Sequence, residues 1–382
     1  MTGDGIRLAF GARYGARPEG VWAAPGRVNL IGEHTDYNGG LVLPLALPCR
    51  TRVAVRRRTD GVLRLSSAQV AGPPVELRLD ELRPGAVHGW AGYPAGVLQA
   101  LRAAGHPVGG LDLHVDSDVP LGAGLSSSAA LECATALALN DLHGLGLGAT
   151  ELALLAQRAE NEFVGVPCGA MDQLASACCQ EGHALLIDTR DLTLRQLPLD
   201  LAGAGMHLLV LDTRTKHDLG DGAYAALRAG CERAAALLGL PALRDLHPDA
   251  LAPALAALPG ELRPLVRHVV TENARVEQAA TLLDTGSYAA LGPLLTAGHA
   301  SLRDDYRVSW PQADLAVSAA LSAGAHGARM TGGGFGGSVL VLVDAGAAPA
   351  VATAVGAAFR RAGYELPRVV AARPSTGACR LG

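Results

Sequence analysis

An α+β fold, with an antiparallel or mixed sheet carrying helices on one side, is what the apolar pattern of this chain predicts. Strand-like segments alternate, as in Leu111, Leu113 and Val115 against Asp112, His114 and Asp116. Such alternation suits a sheet with one solvated face better than the continuous apolar strands of a doubly wound fold. Between these segments lie Ala- and Leu-rich stretches with apolar residues at three- and four-residue spacing, the mark of amphipathic helices. At 382 residues the chain is long enough for two domains with real cores, and we place the division near residue 188, giving 1–188 and 189–382.

Along the chain, Leu41 to Val55 is extended and ends in the solvated run Arg56-Arg57-Arg58. Residues 61–82 read as a hairpin turning at Gly72-Pro73-Pro74, residues 90–103 as a helix and residues 111–119 as a half-buried strand. A loop over 120–127 leads to a helix over 128–142. A further helix spans 150–163, with Thr150 as its N-cap before Glu151. His183 to Asp188 and His207 to Asp212 are strands, while 222–238 and 264–283 are helical. The Pro- and Ala-rich stretch 241–263 between them reads as a looser excursion. A strand over 338–344 and a helix over 350–362 close the pattern.

Composition excludes several classes. Hydrophobic residues make up 49% and charged residues 18%, a globular profile, and the net charge of −4 gives no basic field for nucleic acid. No apolar run reaches ~18 residues, so no membrane span is expected, and the N-terminus lacks a signal-peptide layout. Seven cysteines, an odd number without zinc spacing, fit reduced, buried thiols in a cytoplasmic protein.

The chemistry concentrates in four segments. Ala24 to Asn38 crowds Arg27, Glu33, His34 and Asp36 between turn-formers, yet interrupts them with Val28, Leu30 and Ile31. That mixture suits a segment anchored in a core whose polar side chains converge on something small and rich in hydroxyls. The spacing of Glu33, His34 and Asp36 matches no standard metal-ligand pattern. Pro120 to Ala129 is a glycine-rich loop between a strand and a helix. Its backbone N–H groups and the helix N-terminus suit phosphate, and Ser126, Ser127 and Ser128 offer hydroxyls. It has no Walker lysine, and a capped helix after a tight turn would also account for it. Met330 to Ser338 is a second glycine cluster, equally readable as a hinge or as backbone that must approach something closely. Asp172 lies among apolar neighbours, where a carboxylate is either a helix cap or a group with a partner and a task.

Together and in this order, these segments resemble the galactokinases of the GHMP kinase superfamily. The resemblance rests on residues 25–38, 120–129, 169–173 and 330–337, with similar stretches at 183–188 and 301–309. Other GHMP kinases share the glycine loops but not Gly32-Glu-His-Thr-Asp36. The resemblance implies a two-domain GHMP kinase fold with the active site between the domains, and ATP-dependent phosphorylation of galactose at its 1-hydroxyl. It implies Asp172 as the catalytic carboxylate, with Arg27 as its cation. Glu33, His34, Asp36, Gly169 and Tyr224 become galactose contacts. The loop Gly122, Ala123, Gly124, Leu125, Ser126, Ser127 and Ser128 becomes the ATP phosphate cradle, with Trp90 beside adenine. Ser128 and Glu160 become ligands for Mg2+. No protein partner is required.

A sugar hydroxyl is a poor nucleophile near neutral pH and needs a base or stabilisation of its developing alkoxide. A neighbouring guanidinium keeps a carboxylate ionised but also weakens it as a base, so Arg27 could instead act on the transferring phosphoryl charge. One departure stands out: Tyr224 is followed by Ala225-Ala-Leu-Arg228 where galactokinases commonly carry Tyr-Asn-x-Arg. Two other readings remain at this stage, a related sugar-1-kinase for N-acetylgalactosamine or arabinose, and a non-catalytic galactose and ATP sensor.

Overall fold

The computed structural model describes residues 3–215 and 222–382. α1 (Gly3–Tyr14) leads into β1 (Gly20–Asn29), β2 (Leu41–Val42), β3 (Pro44–Arg58), β4 (Val62–Ser67), β5 (Val70–Arg78), α2 (Gly92–Ala103) and β6 (Gly110–Ser117). α3 (Ser127–His143), α4 (Ala149–Arg158) and α5 (Met171–Cys178) follow. Next come β7 (His183–Asp188), β8 (Thr193–Pro198), β9 (Met206–Asp212), α6 (Ala223–Leu237), α7 (Leu251–Ala257), α8 (Arg263–Asp284), α9 (Leu291–Asp304) and α10 (Pro311–Ser322). β10 (Gly327–Thr331), β11 (Ser338–Asp344), α11 (Ala348–Ala362), β12 (Arg368–Ala372) and β13 (Cys379–Leu381) complete the chain.

Three sheets result, ordered β13-β1-β3-β6-β4-β5, β10-β11-β9-β12 and β2-β7-β8. Among the described residues, every strand pairing is antiparallel except that of β4 with β6. The final strand returns to pair with β1, and residue 188 lies at the end of β7, in the β7–β8 hairpin. Prolines open α8, α10 and α11 within their first two positions, where a missing N–H costs no helical hydrogen bond.

One apolar cluster fills the space between the six-stranded sheet and helices α2 to α4, and a second packs α6, α8, α10 and α11 on the β9–β11 strands. A third joins the two: Val28, Leu30, Ile31, Leu43 and Leu45 meet Leu208, Val210, Val276, Leu295, Leu340 and Leu342. The apolar residues that interrupt the polar N-terminal segment therefore anchor it where the two halves of the chain meet.

Several local expectations are corrected. The hairpin turns at Ala68-Gln69, because Ser67 pairs with Val70, and Pro73 and Pro74 lie inside β5. β5 is an edge strand, where proline's missing donor faces no neighbour. β6 is buried on both faces rather than half-buried, because α1 covers the side expected to be wet. Its alternating polar residues find internal partners: Asp112 in Arg58 and Arg64, and His114 Nδ1 in Ser66. The α4 N-cap is Gly148, whose N–H donates to Glu151 at 2.8 Å, not Thr150. Residues 241–263 are not merely loose: they contain α7 and two short 3-10 turns. All seven cysteines are free, but Cys49, Cys168, Cys178 and Cys379 are half-buried rather than buried. Among the described residues, no helix is long and apolar enough to cross a membrane.

Candidate active site

A cavity of about 490 Å³ lies between β1, the loop before α3, the start of α5 and the glycines after β10. Its size falls within the ~300–1,000 Å³ of small-molecule sites. The N-terminal segment reaches it through a β-bulge: the β1–β3 register shifts between Pro25 and Arg27. An extra residue re-aims the side chains that follow it. Arg27, almost fully buried, turns into the cavity and grips Asp172 with two parallel bonds, Nε to Oδ1 and Nη2 to Oδ2, both 2.7 Å. Its Nη1 donates to the Gly124 carbonyl at 2.7 Å, and the Ser126 hydroxyl donates to Asp172 Oδ2. A two-point guanidinium–carboxylate pair is among the stronger and better oriented side-chain contacts. Asp172 is therefore no helix cap, although it lies in the first turn of α5.

The glycine-rich loop wraps the same pair. Ser126, the N-cap of α3, adopts a left-handed conformation at φ 57°, which costs a non-glycine residue about 1–3 kcal/mol and is tolerated mostly at functional sites. His34, at φ 62°, is a second such residue lining the cavity. The second glycine cluster packs directly behind the first loop. A Cβ on Gly332 would come within 3.3 Å of the Gly124 carbonyl, and Ser338 donates to the Ala123 carbonyl at 2.8 Å. Close backbone approach, not a hinge, is what these glycines serve.

Glu33, His34, Asp36, Gly169 and Tyr224 also line the cavity. Glu33 is buried, and Thr331 Oγ1 and the Gly332 N–H each lie 3.2 Å from its Oε1. Burial pushes its carboxyl up to about 7 against the pull of Arg329, which donates to Oε2. Asp36 is pushed up to about 6, first by burial and then by the charge of Asp172. A Cβ at Gly169 would fall 1.8 Å from Asp36 Oδ2, so a larger residue there would displace that carboxylate. His34 Nδ1 meets the Tyr37 hydroxyl at 2.8 Å, and Tyr37 meets Tyr306 at 2.9 Å. Tyr224, at the start of α6, packs its ring against His34 and Tyr37, and burial holds its phenol neutral. Ala225 also lines the cavity, whereas Arg228 turns outward to Glu232.

Glu160 enters from a π-helical turn over Ala159–Val164, an irregularity that often marks functional positions. Burial and the charge of Asp172 push its carboxyl up to about 6, while hydrogen bonds from Ser128, Cys168 and Gln173 pull it down. Gln173 Nε2 donates to Glu160 at 2.7 Å and to the buried Glu132 at 3.1 Å. No group of three or more metal-ligating side chains occurs among the described residues.

The structure thus brings Arg27, Asp172, Glu33, His34, Asp36, Gly169, Tyr224, Glu160 and most of the loop to one cavity. Ala123 is buried behind the loop, and Trp90 packs against the first apolar cluster without lining the cavity. Sequence reasoning missed Arg329, Glu272 and Thr331. Arg329 had one detectable signal, a lone cation in the five-residue strand Gly327-Ala-Arg-Met-Thr331.

Comparison with known proteins gives a consistent result. Residues 8–57 match the galactokinase galactose-binding signature, 92–180 the GHMP kinases N terminal domain and 279–361 the GHMP kinases C terminal family. The galactokinase of Streptomyces coelicolor is 60% identical, covering 99% of this chain and 100% of its own length. That of Chloroflexus aggregans is 47% identical over 89% of this chain and 88% of its own. The structure of Lactococcus lactis galactokinase complexed with galactose superposes with a TM-score of 0.95 at 31% identity, covering 99% of each chain. Methanococcus jannaschii mevalonate kinase shares the fold, with a TM-score of 0.67 at 18% identity over 93% of this chain and 98% of its own.

Proposed function

Since this chain belongs to the galactokinase family of GHMP kinases, we propose that it moves the γ-phosphoryl group of ATP to the 1-hydroxyl of α-D-galactose through Asp172 and Arg27. The observation that carries this reading is the Arg27–Asp172 pair inside the one cavity that both sets of groups line. That cavity is lined by backbone suited to phosphate and by buried acceptors and donors suited to a sugar.

In this reading galactose takes its orientation from Glu33, His34, Asp36, the backbone at Gly169 and Tyr224. Its 1-hydroxyl then points at Asp172. A carboxylate offers about four acceptor positions. Three are taken by Arg27 and Ser126, which leaves one for the sugar hydroxyl. As the O1–phosphorus bond forms and the bond to the β-phosphate oxygen breaks, the hydroxyl proton passes to Asp172 and ADP leaves with the electron pair. Arg27, held between Asp172 and the Gly124 carbonyl, stays close to the transferring group and stabilises its charge. The N–H groups from Gly122 to Ser128, together with the α3 N-terminus, hold the other phosphates.

Mg2+ prefers one or two carboxylates plus phosphate oxygens to a full protein cage. Glu160, with no cation beside it among the described residues and a hydroxyl from Ser128 against it, fits that requirement. When bound there, the ion would neutralise phosphate charge. Trp90 is offered as an adenine neighbour only through the family resemblance. A cytoplasmic location goes with this reading, since ATP and reduced thiols coexist there.

The test is ADP release with galactose, glucose, talose and galactosamine as acceptors. Galactose should give the fastest turnover. Release no faster with any sugar than without would leave a binding protein and remove the kinase reading.

A further inference from the structure

Glu33 is already committed before any sugar arrives. Arg329 donates to its Oε2, and Thr331 and Gly332 lie against its Oε1. Arg329 is fully buried, and nothing in the phosphoryl-transfer chemistry calls for it. Its guanidinium also lies 3.0 Å from Glu272 Oε1, and its remaining donors reach the carbonyls of Leu30 and Met330 at 3.3 and 3.2 Å. Glu272 in turn accepts the Gly32 N–H at 2.9 Å and Arg275 Nε at 2.7 Å. Two buried acids thus alternate with two cations. Three elements meet there: the segment Leu30 to Glu33, helix α8 and strand β10.

Burying a charge is costly unless every lone pair and proton finds a partner. A protein keeps such a group where its directionality matters more than a hydrophobic replacement would. Here the directional output is the orientation of Glu33. Arg329 and Gly332 come from a strand and loop some 300 residues away in sequence, so the sugar-facing carboxylate is set by the second half of the chain. Glu272 holds the Gly32 N–H just before it, which fixes the backbone that presents Glu33. Arg329 itself does not line the cavity.

We infer that Arg329, seated by Glu272, is a positioning residue for galactose recognition: it aims the Glu33 carboxylate at the sugar and leaves the phosphate loop untouched. This rests on the assignment of Glu33 to the sugar. It goes further by naming the groups that hold Glu33 and by making sugar affinity depend on β10 and α8.

The experiment is steady-state kinetics on Arg329→Met, Arg329→Lys, Thr331→Val and Glu33→Gln, with the double variant Glu33→Gln/Arg329→Met. Arg329→Met should raise KM for galactose tenfold or more, with KM for ATP within twofold and kcat changed less than KM. Arg329→Lys, which keeps a charge but loses the planar fork, should recover part of the galactose affinity. In the Glu33→Gln background, Arg329→Met should add little further loss. Full additivity of the two losses, or an unchanged galactose KM accompanied only by a lowered melting temperature, would overturn the proposal. Should Arg329→Met not fold, Thr331→Val carries the test. It removes one contact to Glu33 Oε1 and should raise galactose KM several-fold, and an unchanged value would likewise count against the inference. Wild-type protein that turns over no galactose would instead remove the kinase reading on which the inference rests.

Discussion

Asp172 and Asp36 share one cavity and a common charge, yet their surroundings are opposite. Asp172 is held by a guanidinium on both oxygens and by a serine hydroxyl. Asp36 has no ion pair among the described residues, backbone N–H groups supply its hydrogen bonds, and Asp172 is the second cause, after burial, that pushes it up to about 6. The first is a carboxylate held and aimed by its partners, as the proposed proton acceptance requires. The second is an acceptor held by backbone donors, with no ion pair among the described residues. On the proposed reading the two acids take different tasks from their neighbours, and burial of Asp36 carries a stability cost.

The largest effect expected from this contrast is on rate. Asp172→Asn keeps the shape but cannot accept the proton, so kcat should fall ~10²–10⁴-fold. Stopped-flow or steady-state ADP release measures it, and a kcat within tenfold of wild type would show that Asp172 is not the key group. Arg27→Met should lower kcat ~10²–10³-fold by removing a fixed positive charge from the transferring group. An effect confined to KM for galactose would instead assign Arg27 to the sugar.

Asp36 should behave in the other way. Asp36→Ala leaves sugar hydroxyls without an acceptor, a loss of ~1–3 kcal/mol. Galactose KM should therefore rise ~10–100-fold, and kcat should change far less. Equal losses in kcat would erase the distinction between the two aspartates.

The smallest effects concern pH. The folded-state value of Asp36 lies above its ordinary one, from 3.8 to about 6. Between those values the folded protein holds the extra proton, so this group makes folding less favourable as pH rises through that window. Asp36→Asn removes the cost and should raise the melting temperature at pH 7.5 by a few degrees. The acceptor is fully ionised only above about 6, so galactose affinity should fall several-fold as pH drops below it. That part of the slope should vanish in Asp36→Asn. An identical pH profile in the variant would place the titration elsewhere.

Asp172 was partly legible in the sequence and Asp36 more so. The crowded segment Ala24 to Asn38 announces itself because local composition carries it, and Val28, Leu30 and Ile31 are the anchors their apolar character suggested. The pairing of Arg27 with Asp172 joins positions 145 apart, a contact no local pattern contains, so it came only through resemblance. Arg329 and Glu272 belong to no motif that chemistry would single out, and their meaning lies wholly in what they touch. Misread local structure has similar causes. The polar alternation of β6 looks solvated until α1 is placed over it, and Pro73-Pro74 looks like a turn unless the strand is known to be an edge. Tertiary context overruled local chemistry at each of these positions.

Titration calorimetry of galactose binding to the Asp172→Asn protein tests the division between the two aspartates most directly. The account predicts a Kd within about fivefold of wild type, because the sugar is held by other groups of the cavity. A loss of binding as large as that of Asp36→Ala would contradict it, since both acids would then be doing the same work.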